Sequence, residues 1–266
     1  MPALQPTRIL APAHPLQRGA PDELVEEEVA ALRALGVPVS LFAEDALDAG
    51  VLRARPPLEP GDVVLYRGWM KTLPAYAVLV SEVERLGAEM LTGVDAYARC
   101  HHLPGWYADC ADVTPETRLF AADADLEVEL ASLDWPAYFV KDYVKSLTTS
   151  RGSIAKSPAE AAEVARMIAE TRGAIEGGLC VRRVERFVPE TERRIFVAMG
   201  QPFAHDGEVP AVAVDVAARV ASAFFSIDVV RDDAGSWRVV ELGDGQVSDR
   251  KEWTADLLAE VIAGMR

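Results

Sequence analysis

The chain contains little that would stabilise it covalently or hold it at a membrane. Only three of its 266 residues are cysteines, and they form none of the close pairs that bind zinc. An odd number of widely spaced cysteines suits reduced thiols better than a disulfide framework. No apolar run approaches the length of a membrane-spanning helix, and the first residues lack the apolar core of a signal peptide. We therefore expect a soluble cytoplasmic protein with no membrane partner.

Basic residues are also scarce. Lys and Arg number 27 against 42 Asp and Glu, which gives a formal net charge of -15. This balance argues against a protein that grips a nucleic-acid backbone by bulk charge, although local basic clusters can still bind small phosphates. Hydrophobic residues make up 50% of the chain, and its length favours two or three lobes. We expect small-molecule partners and no nucleic acid.

The most informative stretch is a pair of apolar strands near the C terminus. Residues 224–230 and 237–242 are rich in β-branched and aromatic side chains, and the polar residues between them contain Asp-Asp-Ala-Gly, which predicts a reversal. In an antiparallel pair of this length, Asp228 and Glu241 can lie side by side. Because adjacent carboxylates repel, they need a cation, a shared proton or solvent between them. The pattern favours a divalent metal.

The first ninety residues alternate between strands and helices. The hydrophobic periodicity and the breaks at Gly and Pro predict strands at 8–11, 37–42, 62–66 and 89–91, and helices at 21–36 and 74–86. Because such crossovers bury a helix on the sheet, residues 1–92 are predicted to form a small parallel α/β domain.

Residues 93–134 differ in composition and are predicted to form a helical connector. They include the triplet Cys100-His101-His102, whose side chains are all metal ligands elsewhere. Adjacent residues on a helix point in different directions, so packing and surface roles suit these residues better. We predict no zinc site here.

From residue 135 the pattern changes to strands. The strand 137–141 ends on Lys141, Lys145 follows four residues later, and a hydroxyl-rich loop occupies 146–153. Such a loop lets amides and hydroxyls approach phosphate oxygens, although a solvated hairpin tip has the same composition. Residues 157–160, Ser-Pro-Ala-Glu, predict a capped helix start.

The next strand is predicted to run from Leu179 to Val188 and to leave its sheet at Pro189. A further strand is predicted over 195–199, turned back by Gly200, and a helix over 210–223 leads to the hairpin.

In this order, a strand-end lysine, a polar loop, a capped helix, an interrupted strand with an acid and an arginine, and an Asp/Glu hairpin resemble the ATP-grasp superfamily. The resemblance covers about Arg8 to Gly264 and is closest to a clade recognised by one lysine and two arginines. It implies an α/β and α+β architecture: the parallel pre-ATP-grasp domain, the connector, and an ATP-grasp region at 135–266 with α+β subdomains at about 135–180 and 181–266.

The resemblance also implies contacts to ATP. Lys141 matches the lysine that reaches the phosphates or the adenine, with Lys145 as the second candidate. Glu185 and Glu192 match the acids that meet the adenine amino group and the ribose, and spacing does not separate Glu192 from Glu190. The backbone around Phe187 and Val188 matches the hinge beside adenine. The implied nucleotide contacts are thus Lys141, Lys145, Glu185, Phe187, Val188, Glu192 and Arg194.

Three cationic residues are the catalytic candidates. Arg194 would lie across the negative charge that develops on a transferring phosphoryl group or an acyl phosphate, where its planar fork of donors is effective. The second arginine is Arg182 or Arg183, of which only one can face the site because side chains alternate along a strand. The candidates taken forward are Arg194, Arg183 and Lys145.

The acids of the hairpin match the family's Mg²⁺ ligands. Asp228 and Glu241 would hold the ion that bridges the phosphates. The usual Asn two residues after the second acid is Gly243 here, so Asp244 is taken as the third ligand, with Gln246 as an alternative. The loop 146–153 is also poor in glycine, so its Ser and Thr residues and Arg151 would form the lid over ATP.

These features together imply an ATP-dependent, Mg²⁺-dependent ligase that joins a carboxylate to an amine, or a thiol, through an acyl phosphate. The substrates would be small molecules, with an amino acid or a peptide among the candidates, and they would approach near 67–69 and 248–250. Two alternatives remain open. Gly243 and the unusual loop also suit a non-catalytic ATP-binding regulatory or interaction module, and the same fold serves small-molecule kinases.

Overall fold

The computed structural model describes residues 5–17, 19–147 and 149–266. Residues 1–4, Arg18 and Thr148 lie outside the described residues, and Thr148 belongs to the predicted phosphate loop. The chain forms two compact units. The first contains residues 1–100, 194–227 and 243–266, and the second contains residues 101–193 and 228–242.

The first unit begins with a five-stranded sheet. In chain order its strands are β1 Arg8–Pro12, β2 Val39–Phe42, β3 Ala54–Arg55, β4 Val63–Tyr66 and β5 Glu89–Met90. Their spatial order is β3-β2-β1-β4-β5; all neighbours are parallel except β3, which runs antiparallel to β2. The predicted parallel α/β layer is thus confirmed, and only the two-residue β3 was not predicted.

Helices α1 Glu26–Ala34, α2 Glu44–Asp48, α3 Leu73–Arg85 and α4 Val94–His101 accompany these strands. The α3 helix begins as its sequence predicts, since Thr72 Oγ1 accepts a hydrogen bond from Ala75 N at 3.4 Å and a proline occupies its first turn. The predicted start of α1 at Pro21 was too early, because the residues before Glu26 form turns. The α2 helix was not predicted, since five residues are too few to show helical periodicity.

The second unit is built on an antiparallel sheet. Its elements are α5 Leu103–Cys110, β6 Thr117–Phe120, α6 Leu126–Glu129, β7 Tyr138–Asp142, β8 Ile154–Ala155, α7 Pro158–Arg172 and β9 Leu179–Arg183. The strand order is β6-β9-β7-β8. The prediction that 93–134 is wholly helical was therefore wrong, because β6 pairs with β9. Four residues inside an acidic segment carry too weak a strand pattern to be recognised.

The α7 helix covers one face of this sheet. Its buried residues Val164 and Ile168 share a core with Val140 of β7 and Val181 of β9. The predicted cap is present: Ser157 Oγ accepts from Glu160 N at 3.2 Å. The helix ends at a glycine with φ 80°, a left-handed conformation that glycine adopts without strain.

A third sheet contains the hairpin. Its strands are β10 Phe187–Ala198, β11 Gln201–Ala204, β12 Phe224–Asp232 and β13 Trp237–Asp244, in the order β11-β10-β12-β13. Helices α8 Ala211–Arg219 and α9 Ala255–Ala263 complete the chain. The hairpin is confirmed. The helix predicted over 210–223 is shorter, and α9, which packs against α1 in the first unit, was not predicted.

The predicted strand from Leu179 to Val188 was wrong. The chain leaves β9 after Arg183, and a single strand of twelve residues then runs through Pro189 to Ala198. Within the described residues, β11 pairs only with Ile195–Ala198, so Pro189 lies where β10 has an open side. A proline is tolerated there because its missing N–H removes no ladder hydrogen bond.

No helix in the described ranges combines the length and the apolar character that are needed to cross a membrane.

The first unit contains a fully buried ion pair. Arg67 Nε donates to Glu28 Oε2 at 2.8 Å and Nη2 donates to Oε1 at 2.7 Å, while both side chains are 4% exposed. Arg67 Nη1 also donates to the carbonyl oxygens of Gly245 and Ser248. The guanidinium therefore ties α1 and β4 to the segment after β13.

We predict that Glu28→Gln lowers the free energy of unfolding by about 3–5 kcal/mol, because it leaves the Arg67 charge buried without its counter-ion. Glu170→Gln serves as the matched control, since the Arg166–Glu170 pair is about 60% exposed on both sides and its loss should cost less than about 1 kcal/mol. Urea denaturation of both variants measures the difference. Equal effects would contradict the structural role of the buried pair.

Candidate active site

Asp228 and Glu241 lie at facing positions of β12 and β13. The register is given by Ser226, whose Oγ lies 3.5 Å from Gly243 O and would lie 3.0 Å from a Cβ placed on Gly243. Two residues further along each strand, the same register pairs Asp228 with Glu241 on the same face. Asp228 is buried, whereas the Glu241 side chain is 42% exposed. One carboxylate is thus enclosed and the other is accessible.

Lys141 supplies a cation to this pair. The side chain leaves β7 almost fully buried, and its Nζ forms a short ion pair with Glu241 Oε1. In the sheet Lys141 lies opposite Cys180 of β9. The strand-end lysine and the second hairpin acid therefore meet, although 100 residues separate them in sequence.

The alternation of side chains along β9 separates the two arginines. Cys180 is paired with Lys141, so Arg182, two residues later, lies on the same face of the sheet as Lys141. Arg183 lies on the opposite face, which α7 covers, and its side chain is exposed. The choice of Arg183 as a catalytic residue was therefore wrong, and the alternative, Arg182, is on the face of the lysine.

Arg182 is held rigidly. Its Nη1 donates to Val240 O at 2.6 Å and its Nη2 donates to Thr114 Oγ1 at 2.6 Å. Its Nε is buried and, among the described residues, has no hydrogen-bond partner. Burial lowers the pKa of the guanidinium, while Glu241 and Glu185 act in the opposite direction. A buried donor without an acceptor is costly, so this position suits an anionic ligand.

Glu185 is occupied by a different partner from the one predicted. Its two carboxylate oxygens accept from Arg238 Nε and Nη2, each at 3.0 Å, and Arg238 also donates to Thr114 O. This bidentate pair anchors the short connection between β9 and β10. The predicted contact with an adenine amino group stays a prediction.

The other nucleotide candidates of the second unit lie on the first half of β10. Phe187 is half-buried and Val188 is exposed, with Val188 O accepting from Thr191 Oγ1 at 2.7 Å. Glu190 and Glu192 are exposed and, being two residues apart, lie on the same face of the strand. The structure therefore does not separate them as ribose ligands, and all of these contacts stay predictions.

Lys145 lies on a tight turn that follows β7. Asp142, which is fully buried, accepts from Val144 N at 2.8 Å and forms an ion pair with Arg172. Lys145 is exposed on this turn, in contrast with the buried Lys141. In the loop that follows, Arg151 Nη1 donates to Ile154 O at 2.7 Å, so this arginine closes the loop on itself.

Arg194 belongs to the first unit and is 9% exposed. Its Nη1 forms an ion pair with Asp249 and also donates to Asp249 O at 2.8 Å. Its backbone is fixed on both sides, since Arg194 N donates to Glu252 Oε1 at 2.6 Å and Trp253 Nε1 donates to Arg194 O at 2.9 Å. The guanidinium is thus placed by residues 249–253, and its catalytic role stays a prediction.

Asp244 is not placed as a metal ligand. It is three residues after Glu241 on one strand, so the two side chains leave opposite faces. Asp244 is 0% exposed and its Oδ1 accepts from both Gln246 N and Gln246 Nε2 at 3.0 Å. Gln246 is fully buried as well, because its side chain also bonds Tyr66 N and Tyr76 OH. The structure therefore contradicts the third-ligand role of Asp244 and gives its alternative, Gln246, a packing role.

The position of Gly243 has no room for an asparagine. A Cβ there would lie 2.8 Å from Ser248 Oγ and 3.0 Å from Ser226 Oγ, and these two hydroxyls are hydrogen-bonded at 2.8 Å. The serine pair thus fills the space that a longer residue at 243 would need. This explains the departure from the expected sequence pattern.

The carboxylates present fit Mg²⁺ in one particular way. In the part of the chain that the structure describes, no three His, Cys, Asp or Glu side chains are grouped so as to hold a metal ion. Mg²⁺ however needs only one or two carboxylates when waters and substrate phosphates complete its octahedron. Asp228 and Glu241 therefore suit an ion that arrives with a nucleotide better than a metal centre made of protein alone.

The fold and these side chains define the class of protein. The chain resembles the crystal structure of the D-cycloserine synthetase DcsG over 97% of its length and 100% of that chain, with a TM-score of 0.66 and 15% identity. It resembles the ATP-grasp ligase PsnB complexed with precursor peptide PsnA2 and AMPPNP over 100% of its length and 99% of that chain, with a TM-score of 0.62 and 14% identity.

A third similar structure is the D-alanine-D-alanine ligase from Coxiella burnetii, at 12% identity and a TM-score of 0.65, which covers 97% of this chain and 94% of that one. No curated protein matches the chain in sequence. The sequence profile of an ATP-grasp domain, family 3 of the clade named for two arginines and one lysine, matches residues 126–264, more than half of the chain. The chain therefore belongs to this family of ATP-grasp proteins.

We predict a pH dependence of stability that originates at Asp244. Burial raises the pKa of this carboxyl from 3.8 to about 7, so the folded protein keeps a proton that the unfolded chain loses. The free energy of unfolding should therefore fall as the pH rises from about 4 to about 7, by about 1.4 kcal/mol for each unit that separates the two pKa values at most. Urea titrations at several pH values measure this.

Asp244→Asn is the control for this effect, because an amide keeps the shape of the protonated acid and does not titrate. The stability of the wild type should decline relative to that of the variant between pH 4 and pH 7. Parallel pH profiles of the two proteins would show that the Asp244 carboxyl does not carry the effect.

Proposed function

We propose that the protein is an Mg²⁺-dependent ligase that uses ATP to join a carboxylate to an amine. The observation that carries this proposal is the ion pair between Lys141 and Glu241, with Asp228 opposite the acid and Arg182 on the face of the lysine. Two cations and two carboxylates on one sheet-and-hairpin surface provide groups for the phosphates and for the metal that accompanies them.

The similar structures support the reaction class. Two of them are ligases by name, and the third is a synthetase. PsnB has been crystallised with AMPPNP and, separately, with a minimal precursor, Mg and ADP, which supports ATP and Mg²⁺ as ligands of the present chain. The carboxylate and the amine are proposed to be small molecules, with amino acids and peptides as the first candidates, and the reaction to take place in the cytoplasm.

The proposed chemistry has two steps. A carboxylate oxygen attacks the γ-phosphorus of ATP, the bond to the bridging oxygen breaks, and ADP leaves with the acyl phosphate remaining. The amine nitrogen then attacks the acyl carbon, the bond to phosphate breaks, and the amine loses a proton. When bound, Mg²⁺ would neutralise phosphate charge beside Asp228 and Glu241.

The protein's own residues contribute charge and position. Lys141 and Arg182 would compensate the negative charge of the triphosphate, and the Nε of Arg182, which no described residue accepts from, offers a fixed donor. Because Lys141 pairs with Glu241, nucleotide phosphates and the metal would have to share or replace that contact. Arg194 is the candidate for the charge that develops on the acyl phosphate, held in place through Asp249.

We predict that Lys141→Met weakens the binding of Mg–ATP at least about tenfold, because a buried phosphate partner is lost. Lys156→Met is the matched control: it removes the same charge from an exposed position of the second unit and should leave the dissociation constant within about twofold. Isothermal titration calorimetry with ATP and Mg²⁺ gives both values. Failure of the wild-type protein to bind ATP or ADP with Mg²⁺ would refute the nucleotide site.

Turnover separates ligation from its alternatives. With a mixture of amino acids and peptides, a ligase releases ADP and phosphate and yields a product whose mass is the sum of two substrates minus water. A substrate that gains the mass of a phosphoryl group would instead indicate a kinase. Tight ATP binding without ADP release over a broad panel would favour the non-catalytic module.

A further inference from the structure

A cavity of about 500 Å³ lies in the first unit, away from the residues discussed so far. It is lined by segments that follow three strands: residues 13–15 after β1, residues 43–48 after β2 and residues 69–71 after β4. We call it the strand-end cavity. Its volume is within the range of small-molecule sites, roughly 300–1,000 Å³.

The topology of the sheet explains why a cavity forms here. The strand order β3-β2-β1-β4-β5 means that the chain leaves β1 towards β2 on one side and returns to β4 on the other. The connections after β1 and β4 therefore diverge and leave a crevice at the carboxyl ends of the parallel strands. In open α/β sheets this is the position where ligands bind.

The described lining is strongly acidic. Its charged residues are four carboxylates, Asp22, Glu44, Asp45 and Asp48, and one ammonium group, that of Lys71. Lys71 is 8% exposed and its Nζ lies 2.7 Å from Glu44 Oε2, so its charge is already compensated. The excess of acids gives the cavity a negative potential, which attracts cations.

One acceptor in this wall has no donor. Glu44 Oε1 is buried, and none of the residues that the structure describes forms a hydrogen bond to it. Its companion Oε2 is used by Lys71, which in turn lies over the rings of Phe42 and Tyr66 at 5.9 and 5.5 Å. A buried carboxylate oxygen without a donor is costly, and a ligand N–H would relieve that cost.

An aromatic and apolar edge completes the cavity. Trp69 is 50% exposed and Met70 is 38% exposed, and both line it. Trp69 O accepts from Tyr66 OH at 2.8 Å, which fixes the backbone of this segment. A half-exposed tryptophan next to acids is suited to an organic cation, because its ring attracts the charge and its surface covers an apolar stem.

A bare metal ion is a poorer candidate. Acids could attract one, but across the described ranges no trio of His, Cys, Asp or Glu has the arrangement of a metal site. The cavity is also larger than a single ion requires, and the exposed Trp69 would have no function in such a site.

We propose that the strand-end cavity binds a small organic amine in its cationic form, with the ammonium group directed to the acids around Glu44 and Asp48 and its apolar part against Trp69. The proposal rests on the ligase function in one respect: it identifies this ligand with the amine that the enzyme joins to a carboxylate. Binding itself requires no ATP, so the two ideas can be tested separately.

Three probes of nearly equal shape test the charge preference: 2-phenylethylamine, its neutral analogue 2-phenylethanol and the anion 3-phenylpropanoate. Calorimetry on the full chain without nucleotide, at low ionic strength, should show the amine binding at least about tenfold more tightly than either analogue. Equal binding of the alcohol, tighter binding of the anion, or no binding of the amine would overturn the proposal.

Two variants and a control locate the site. Asp48→Asn should weaken amine binding about three- to tenfold, and Trp69→Ala at least about fivefold. Glu208→Gln removes one exposed carboxylate that does not line the cavity and should change the affinity by less than about twofold. An equal effect of Asp48→Asn and Glu208→Gln would overturn the assignment. Circular dichroism confirms that each variant is folded, and Trp69→Ala provides a second test at an exposed position.

The same variants distinguish this proposal from the ligase function. If the enzyme releases ADP but Asp48→Asn leaves the KM for the amine unchanged, the cavity is not its amine site and the ligase function stands. If the amine binds and the variants weaken it while no substrate causes ADP release, the cavity proposal stands and the ligase function fails.

Discussion

The mutual repulsion of Asp228 and Glu241 is the constraint on which the site of the second unit depends. Two carboxylates on facing positions of a hairpin cannot both be ionised at low cost unless a cation lies beside them. In the structure Lys141 is that cation for Glu241. The strand β7 is held at the centre of its sheet by β8 and β9, so the position of the ammonium is fixed by the fold rather than by the ion pair alone. A ligand that brings its own cation and its own phosphates would exchange partners here without moving the backbone.

Burial gives the cations of this surface their value. An exposed ion pair contributes little, roughly 0–1 kcal/mol, whereas a buried charge without a partner is strongly unfavourable. Arg182 is nearly inaccessible, uses two of its nitrogens to hold Val240 and Thr114, and keeps its third donor without an acceptor among the described residues. The protein thus stores a fixed, incompletely satisfied positive charge on the face of Lys141. Such preorganisation is the main way in which a protein without covalent chemistry of its own can assist phosphoryl transfer.

Much of the fold could be predicted from the sequence, and the errors have physical causes. The capped start of α7 at Ser157, the hairpin and the parallel layer follow from local rules on caps, turns and periodicity. The break before β10 does not, because Pro189 ends most strands and only the absence of a neighbour on one side allows it here. Asp244 was misassigned although the necessary signal was present: an odd spacing from Glu241 on a strand places the two side chains on opposite faces. The choice between Arg182 and Arg183 needed the pairing of β7 with β9, which no local pattern contains.

The acidic balance of the chain connects the nucleotide surface with the strand-end cavity. A protein with a formal charge of -15 repels free ATP at long range, and therefore favours a nucleotide whose charge is reduced by Mg²⁺ and an amine that arrives as a cation. A protonated amine is not a nucleophile, however, so it must lose a proton before it attacks an acyl phosphate. Carboxylates such as Asp48 and Glu44 can attract the cation, but they favour its charged form and so delay that loss. An acidic cavity is consequently suited to capture and orientation of the amine, and the proton must be removed where the acyl phosphate forms.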